Sequence, residues 1–492
     1  MLFSSIPFLY YFFPAVLFLY FLAPFKLKIF KKKTGDFVYF EFKNFILLIA
    51  SLFFYAYGEP TYAFLMIATT LSSYLHGLLI DKFRGTVWSK VFVTTSVVSS
   101  LAVLGYFKYA NFFIDNINAL TGGGLKLLEL ALPIGISFYT FQTLSYTVDV
   151  YRGDAKVQKS FIRLATYVAL FPQLIAGPIV RYTTVEEDLS SRKHSFEGFA
   201  SGVTRLVIGF GKKVLIADSF GALARTLMAS DEQSVVGYWV YAIAVSLQLY
   251  FDFSGYSDMA IGMGRMFGFR FLENFNYPFI SKSAAEFWRR WHMSLGSWFR
   301  DYLYIPLGGN RVSVPRWVLN TLIVWFATGF WHGADWTFII WGLYFALFLM
   351  LEKFFLKKFF DKLPAVFSHM YLLFIVLISF VIFKGTDLAS AGFADSGLSG
   401  ALYGVGALFG AGGLPFFTKE TGYYILSYSL VLLVGVIGAT PLVKTAVLKI
   451  KETKAGNKIL NVLEPIFVFA ILMTVTAYFV DGSFSPFLYF RF

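Results

Sequence analysis

Cysteine is absent from this chain of 492 residues. Its absence excludes disulfides, thiolate-bound metals and a cysteine nucleophile together. Charge is scarce too. Only 14% of residues are Asp, Glu, Lys or Arg, against about 25% in soluble domains. The remainder is oily: 57% hydrophobic, 21% aromatic, with a mean hydropathy of +0.65. Long apolar runs predict an all-α polytopic membrane protein, because each spanning helix needs about 20 apolar residues. No internal repeat and no low-complexity segment is seen, so one membrane domain over 1–492 is expected. A net charge of +13 would suggest nucleic acid in a soluble protein. Here Lys and Arg gather in short loops between apolar runs, where they set membrane orientation. No nucleic-acid partner is expected, and the lipid bilayer is.

Apolar runs lie near 3–25, 43–57, 61–81, 89–107, 129–149, 161–180, 198–217, 235–260, 317–333, 336–356, 366–384, 422–440 and 462–481. The first lacks a basic leader and a small-residue cleavage site, so it reads as a retained span. "LFPQLIAGPIVRY" (170–182) holds Pro172, Gly177 and Pro178, which interrupt a helix. Such backbone survives at membrane depth only where protein buries it or a cavity adjoins it, so a re-entrant or half-crossing segment is expected. "KLKIFKKK" (26–33), "EKFFLKKFFDK" (352–362) and "KTAVLKIKETKAGNK" (444–458) hold five, four and five Lys, which puts those loops in the cytoplasm. "YGEP" (57–60) and the glycine-rich 385–418 fit the outside, and both termini are then outside.

Two histidines stand in aromatic surroundings, in "FWRRWHMSLGSWFRDYLYIPLGGN" (287–310) and "GFWHGADW" (329–336). His292 and His332 are 332 − 292 = 40 residues apart. Read as one helix, 286–301 carries Trp288, His292, Leu295 and Phe299 on one stripe, and Arg289, Gly296 and Arg300 on the next. Glu286 can pair with Arg290 at i+4. This helix is too polar to cross and suits the cytoplasmic interface, as an aromatic anchor or as the wall of a polar funnel. From Val318 to His332 is 332 − 318 = 14 residues, about 21 Å of helix. That depth passes the middle of a hydrocarbon core about 30 Å thick. An ionisable side chain there marks a functional site by default. Gly329 and Gly333 would let another segment approach. Within "LYFDFSGYSDMAIGMG" (249–264), Asp252 shares a face with Tyr256, and Asp258 is turned away. These carboxylates fit two roles equally, orienting a histidine or arginine, or forming a structural ion pair.

These motifs carry a resemblance. "SFYTFQTLSYTVDVYRG", "LFPQLIAGPIVRY", "FDFSGYSDMAIGMGRMFGFRFLENFNYPF", "FWRRWHMSLGSWFRDYLYIPLGGNR" and "GFWHGADWTFIIWGLYF" run in order from 137 to 345. Together they resemble the membrane-bound O-acyltransferases of the bacterial alginate O-acetylation type, with 137–345 as the motif-bearing core. The resemblance implies a ring of about 11–13 transmembrane or re-entrant helices around a thin core with a tunnel. It implies a multi-pass protein of the bacterial cytoplasmic membrane and a cytosolic thioester donor, acetyl-CoA, with no bound cofactor and no metal. His332 would be the family's invariant histidine and His292 its second. A separate extracytoplasmic acetyltransferase would complete O-acetylation of a polysaccharide. D-alanyl transfer from a carrier protein to an envelope polymer is the alternative. A transporter is the rival outside enzymes, and it predicts inverted repeats that the sequence lacks.

Acyl transfer from a thioester to a hydroxyl needs a base and a stabilised oxyanion, and neutral histidine suits the first. His332 is the expected base. His292 is expected to hold or polarise the donor carbonyl, or to assist the leaving thiol. Arg289, Arg290, Arg300 and Arg311, with Asn310, are candidates for the donor's phosphates, with contact to anionic lipid an equal alternative. Trp331 and Asp252 complete the tunnel candidates. The terminal "FLYFRF" also resembles the family in kind, and there Tyr489 would be a transient acyl carrier. As a belt at the headgroups the same aromatic tail needs no chemistry.

Overall fold

The computed structural model describes residues 1–24, 27–31, 37–175, 177–482 and 487. Helix dominates them. Among the described residues six helices are long and apolar enough to cross a membrane: Pro60–Lys82, Val87–Thr121, Val235–Met266, Trp336–Phe360, Ala365–Phe383 and Lys454–Asp481. Lys419–Ser427 and Ser429–Gly438 meet at 59° and would form a seventh as one bent span. Pro7–Leu22, Phe42–Ala56 and Gly397–Leu408 are shorter apolar helices. Burial sorts the long ones. Val235–Met266 buries 78% of its most apolar window, whereas Lys454–Asp481 buries 6%. An apolar helix with so little protein around it belongs in lipid. This is a multi-pass membrane protein.

Contacts divide the chain into two compact units. The first gathers Met1–Leu206, Ser257–Leu272 and, of the described residues, those from Thr476 on. Its core holds Phe8 between Phe54 and Phe171, at ring-centroid distances of 5.8 and 6.2 Å. The guanidinium of Arg192 is buried there, its Nε donating to Tyr20 Oη at 2.9 Å and its Nη1 to Asn44 Oδ1 at 2.7 Å. Leu27–Lys31 and Phe37–Phe40 form a short antiparallel ribbon. The interruption expected over 170–182 is present. Helix Phe161–Ala169 ends, one turn follows at Phe171–Leu174, and regular structure resumes at Tyr182. Phe171, Leu174, Ile179 and Val180 are all buried, and the Val180 carbonyl accepts the Tyr167 hydroxyl at 2.8 Å. Protein therefore shields this non-helical stretch, as lipid exposure would not allow.

The second unit holds Val207–Tyr256 and Glu273–Val475. Helices Val314–His332 and Trp336–Leu351 pair closely within it through glycines. A Cβ on Gly329 would overlap the Phe338 carbonyl, and one on Gly342 would overlap that of Trp325. A Cβ on Gly333 would strike the Phe338 ring. Asp335 caps the second helix by accepting the Thr337 N–H at 2.7 Å. Both histidines and the cavity described next lie in this unit.

Candidate functional site

The segment expected as one helix over 286–301 is two. Ala284–Arg290 and Met293–Phe299 are separated by an extended Trp291 (φ −100°, ψ 130°) and a left-handed His292 (φ 45°, ψ 52°). Helical periodicity runs through the break, so spacing alone could not reveal it. Distant backbone makes the break by taking the groups it frees. Met293 N–H donates to the Asn274 carbonyl at 2.9 Å, and Asn276 N–H to that of Arg290 at 2.9 Å. Ser283 Oγ caps the first helix at the Glu286 N–H, 3.1 Å away. The i+4 pair is present, with Arg290 Nη2 2.9 Å from Glu286 Oε1. A non-glycine residue in the left-handed region is uncommon and persists where its surroundings over-determine it. Among the described residues only Tyr277 and His292 do this.

A cavity of about 980 Å³ opens beside the break. His292, Trp288 and Leu295 line it from one side, and Trp325, Thr328 and Trp317 from helix Val314–His332. Its charged lining is Lys282, Arg289, Arg300, Lys353 and Lys357 against Glu352 and Asp361. Five cations against two carboxylates leave an excess of three positive charges. Lys353 Nζ sits 3.4 Å over the Trp317 ring, a cation–π contact. Asn310 Oδ1 accepts the Tyr304 hydroxyl at 2.8 Å and Trp317 Nε1–H at 3.0 Å. The turn that delivers Asn310 uses Gly308 at φ +108° and Gly309 at φ +57°, conformations natural to glycine.

His292 is 1% exposed. Its Nδ1 lies 3.3 Å from Asn274 Oδ1, and its Nε2 has no partner among the described residues. Burial pushes its pKa down to about 3, so the imidazole stays neutral at physiological pH. Phe253 meets it edge-on at 4.6 Å and Trp331 at 6.0 Å.

His332 ends its helix and is 3% exposed. Trp331, Trp341 and Phe383 surround it edge-on at 5.0, 5.0 and 5.4 Å. The cavity lining includes Thr328, one turn before His332, and stops short of His332 and Trp331 themselves. The two histidines expected on one cavity are thus one on its wall and one behind an aromatic layer.

The other candidates separate. Arg289, Arg300 and Asn310 line the cavity, with Arg300 Nε 2.6 Å from Asp301. Arg290 is turned to Glu286 and the Asn276 carbonyl, and neither it nor Arg311 is part of the lining. Asp252 is in an ion pair, 3.0 Å from Lys213 Nζ, which also lies 2.7 Å from Asp218. Asp258 pairs with Arg205 at 2.7 Å. Of the two roles open to these carboxylates, the geometry shows the ion pair. Tyr489 lies outside the described residues. Among those described, no group of His, Cys, Asp or Glu is arranged to hold a metal.

Asn274 and Glu352 had escaped the sequence reading. Glu352 accepts the Ala284 and Ala285 N–H groups at 2.5 and 3.2 Å, so it caps the helix bearing Arg289. Its only signal was an acid at the head of a lysine-rich run. Asn274 had only its place inside the motif "FRFLENFNYPF".

Comparison with known proteins shows the family. The model of MBOAT, the membrane-bound O-acyltransferase family, matches residues 61–391, a span that includes both histidines. The "Probable alginate O-acetylase AlgI" of Azotobacter vinelandii is 43% identical over 79% of this chain and 76% of its own length. The peptidoglycan O-acetyltransferase of Helicobacter pylori is 34% identical over 70% and 71%. The teichoic acid D-alanyltransferase of Bacillus subtilis is 33% identical over 46% and 60%. With a histidine on a cation-lined cavity and a second one ring behind it, the chain belongs to the membrane-bound O-acyltransferase family and is an O-acyltransferase.

Proposed function

We propose that this protein takes an acetyl group from acetyl-CoA on the cytoplasmic side of the bacterial inner membrane and passes it outward for O-acetylation of an extracytoplasmic polysaccharide. The observation that carries this reading is the cavity, which joins an excess of positive charge to a buried neutral histidine. Lys353 and Lys357 line it and belong to the basic stretch 352–362, which charge bias assigns to the cytoplasm. Cations there suit the phosphates of a nucleotide thioester. The apolar inner wall of Trp288, Trp325 and Leu295 suits the acyl end and limits water. The two histidines supply the base. His332 is the one expected from the motif, and His292 is the one the cavity reaches.

Acetyl rather than D-alanyl transfer is favoured by the relatives. The alginate acetylase shares more identity over far more of the chain than the D-alanyltransferase. An extracytoplasmic acetyltransferase is the partner this reading requires, since the donor is cytosolic and the polymer is outside.

Purified protein in vesicles of known orientation, given labelled acetyl-CoA on one side, tests the reading. Thioester cleavage is expected only from the face bearing the basic loops, and is lost in the His292→Asn/His332→Ala double variant. Cleavage of a D-alanyl carrier protein in place of acetyl-CoA would overturn the donor assignment, and cleavage from the opposite face would overturn the topology.

A further inference from the structure

We infer that Asn274 is a positioning residue for acyl transfer: it holds His292 as the Nδ1–H tautomer, leaving Nε2 as the lone pair that meets the reactants. The inference rests on the acyltransferase reading of the cavity.

The argument begins with the amide. Asn274 Oδ1 lies 3.2 Å from the Ser294 backbone N–H and 2.9 Å from Ser294 Oγ. A backbone N–H can only donate, so the atom facing it is the oxygen, and the orientation of the amide is fixed. His292 Nδ1 lies 3.3 Å from that same oxygen. Ser294 Oγ also lies 3.5 Å from Nδ1, but its hydrogen goes to the nearer Asn274 Oδ1 at 2.9 Å; two acceptors cannot bond, so Nδ1 carries the hydrogen. A neutral imidazole has one N–H, and Nε2 is therefore bare. No described residue pairs with it.

The ring cannot easily escape this arrangement. Phe253 and Trp331 flank it edge-on. Asn274 grips the break twice, by its side chain at His292 and by its backbone carbonyl at Met293 N–H. Two costs meet at one residue: a left-handed backbone and a buried nitrogen without a partner among the described residues. Each is unfavourable for stability, and their coincidence on a cavity wall marks a group set for a reactant.

The tautomer decides the chemistry. With no N–H at Nε2, His292 cannot donate to the donor's carbonyl oxygen, which was one role expected from sequence. It can take a proton. The attacking hydroxyl gives its proton to Nε2 as its oxygen bonds to the thioester carbonyl carbon. The C–S bond then breaks, and the departing thiolate takes that proton from the imidazolium. An alcohol and a thioester thus become an ester and a thiol, and the histidine is regenerated.

Two variants test this, measured as acetyl-CoA cleavage by the full chain in vesicles across pH. The charged groups on the same cavity are Lys282, Arg289, Arg300, Glu352, Lys353, Lys357 and Asp361, and Asp252, next to Phe253, is paired with Lys213. All are unchanged between the variants, so differences in profile report His292 together with the carboxylate introduced beside it. Asn274→Asp keeps the acceptor and adds a negative charge, which favours imidazolium. It should fold, retain turnover near neutral pH, and lose activity at a higher pH than the wild type as acid is added. Asn274→Leu removes the acceptor. Its kcat should fall roughly 100-fold, the scale of one general base, with the donor's KM little changed. An Asn274→Asp profile superimposed on the wild type would overturn the inference, as would wild-type kcat in Asn274→Leu. If Asn274→Leu fails to fold, the Asn274→Asp profile decides alone. If the wild type cleaves no thioester, the functional reading itself fails, a result distinct from either.

Discussion

His292 and His332 are joined through a single side chain: the indole of Trp331 meets the first ring at 6.0 Å and the second at 5.0 Å. The spacing of the two imidazoles therefore depends on one buried aromatic group. Trp331→Phe keeps a flat ring there and should retain most turnover. Trp331→Ala should lower kcat at least tenfold and cost about 3–5 kcal/mol of stability, as large aromatic truncations in a core do. Turnover and thermal unfolding in detergent measure the two effects side by side.

The close pairing of helices Val314–His332 and Trp336–Leu351 gives a second expectation. Gly329 has the Phe338 carbonyl where a Cβ would stand. Gly329→Ala must push the helices apart just below His332, at about 1–3 kcal/mol for an overpacked contact. Activity should fall further than stability alone explains, because Trp341, which walls His332, moves with the second helix. The comparison needed is turnover per folded molecule. Full turnover in a folded Gly329→Ala protein would show that His332 tolerates the shift.

Much of this organisation was legible before any coordinates. Pro172, Gly177 and Pro178 announced the broken segment because each disrupts helix locally. Gly329 and Gly333 announced a close approach because a missing side chain is visible in the letters. The break at His292 was hidden for the opposite reason: its neighbours keep a helical spacing throughout, and the groups that open the chain come from Asn274 and Asn276. Asp252 and Lys213, 252 − 213 = 39 residues apart, were open to two readings because an ion pair between distant positions has no pattern. The separation of His332 from the cavity was equally unreadable, since helix depth can be counted from sequence but the aromatic layer beside it cannot.

The mouth of the cavity should behave as an electrostatic funnel. Arg289→Gln and Lys353→Gln remove cations that line it without touching either histidine. Each should raise the KM for acetyl-CoA several-fold with kcat little changed, the pattern of lost uniform binding. Added salt should raise the wild-type KM as well, by screening the same field. Initial rates at two ionic strengths would check both. A KM indifferent to salt and to both variants would remove the mouth from donor binding.

Burial of His292 has a consequence for acid stability. An unfolded histidine binds its proton near pH 6.5, whereas burial lowers the folded value to about 3. Between those values the unfolded chain holds more protons, so acid favours unfolding. The contribution is fully present above about pH 6.5 and fades as pH falls toward 3. His292→Asn should flatten this part of the stability curve, as read by thermal unfolding from neutral pH downward. An unchanged slope would mean that water reaches the ring.

The aromatic tail offers a test that needs no structural detail. Tyr489→Phe removes a hydroxyl and leaves the ring. A carrier needs that oxygen, because an aryl ester forms on it and, with a phenol pKa of about 10, leaves readily for onward transfer. Polymer acetylation in cells should therefore collapse in Tyr489→Phe at normal protein levels. A belt at the headgroups would not notice the change, and wild-type acetylation would leave that reading standing.

The left-handed backbone at position 292 also limits which residues can occupy it. Few side chains accept φ near +45°; after glycine, asparagine, aspartate and histidine do so most readily. Alanine there would add a backbone penalty of about 1–2 kcal/mol to whatever chemistry is lost, so inactivity in an alanine variant could not be assigned to the imidazole. The same filter acts on drift over evolutionary time. Apart from glycine, the residues that could inherit this position without rebuilding the turn each carry a polar atom able to accept a hydrogen bond. The shape of the turn therefore favours an acceptor on the cavity wall, whichever of them occupies it.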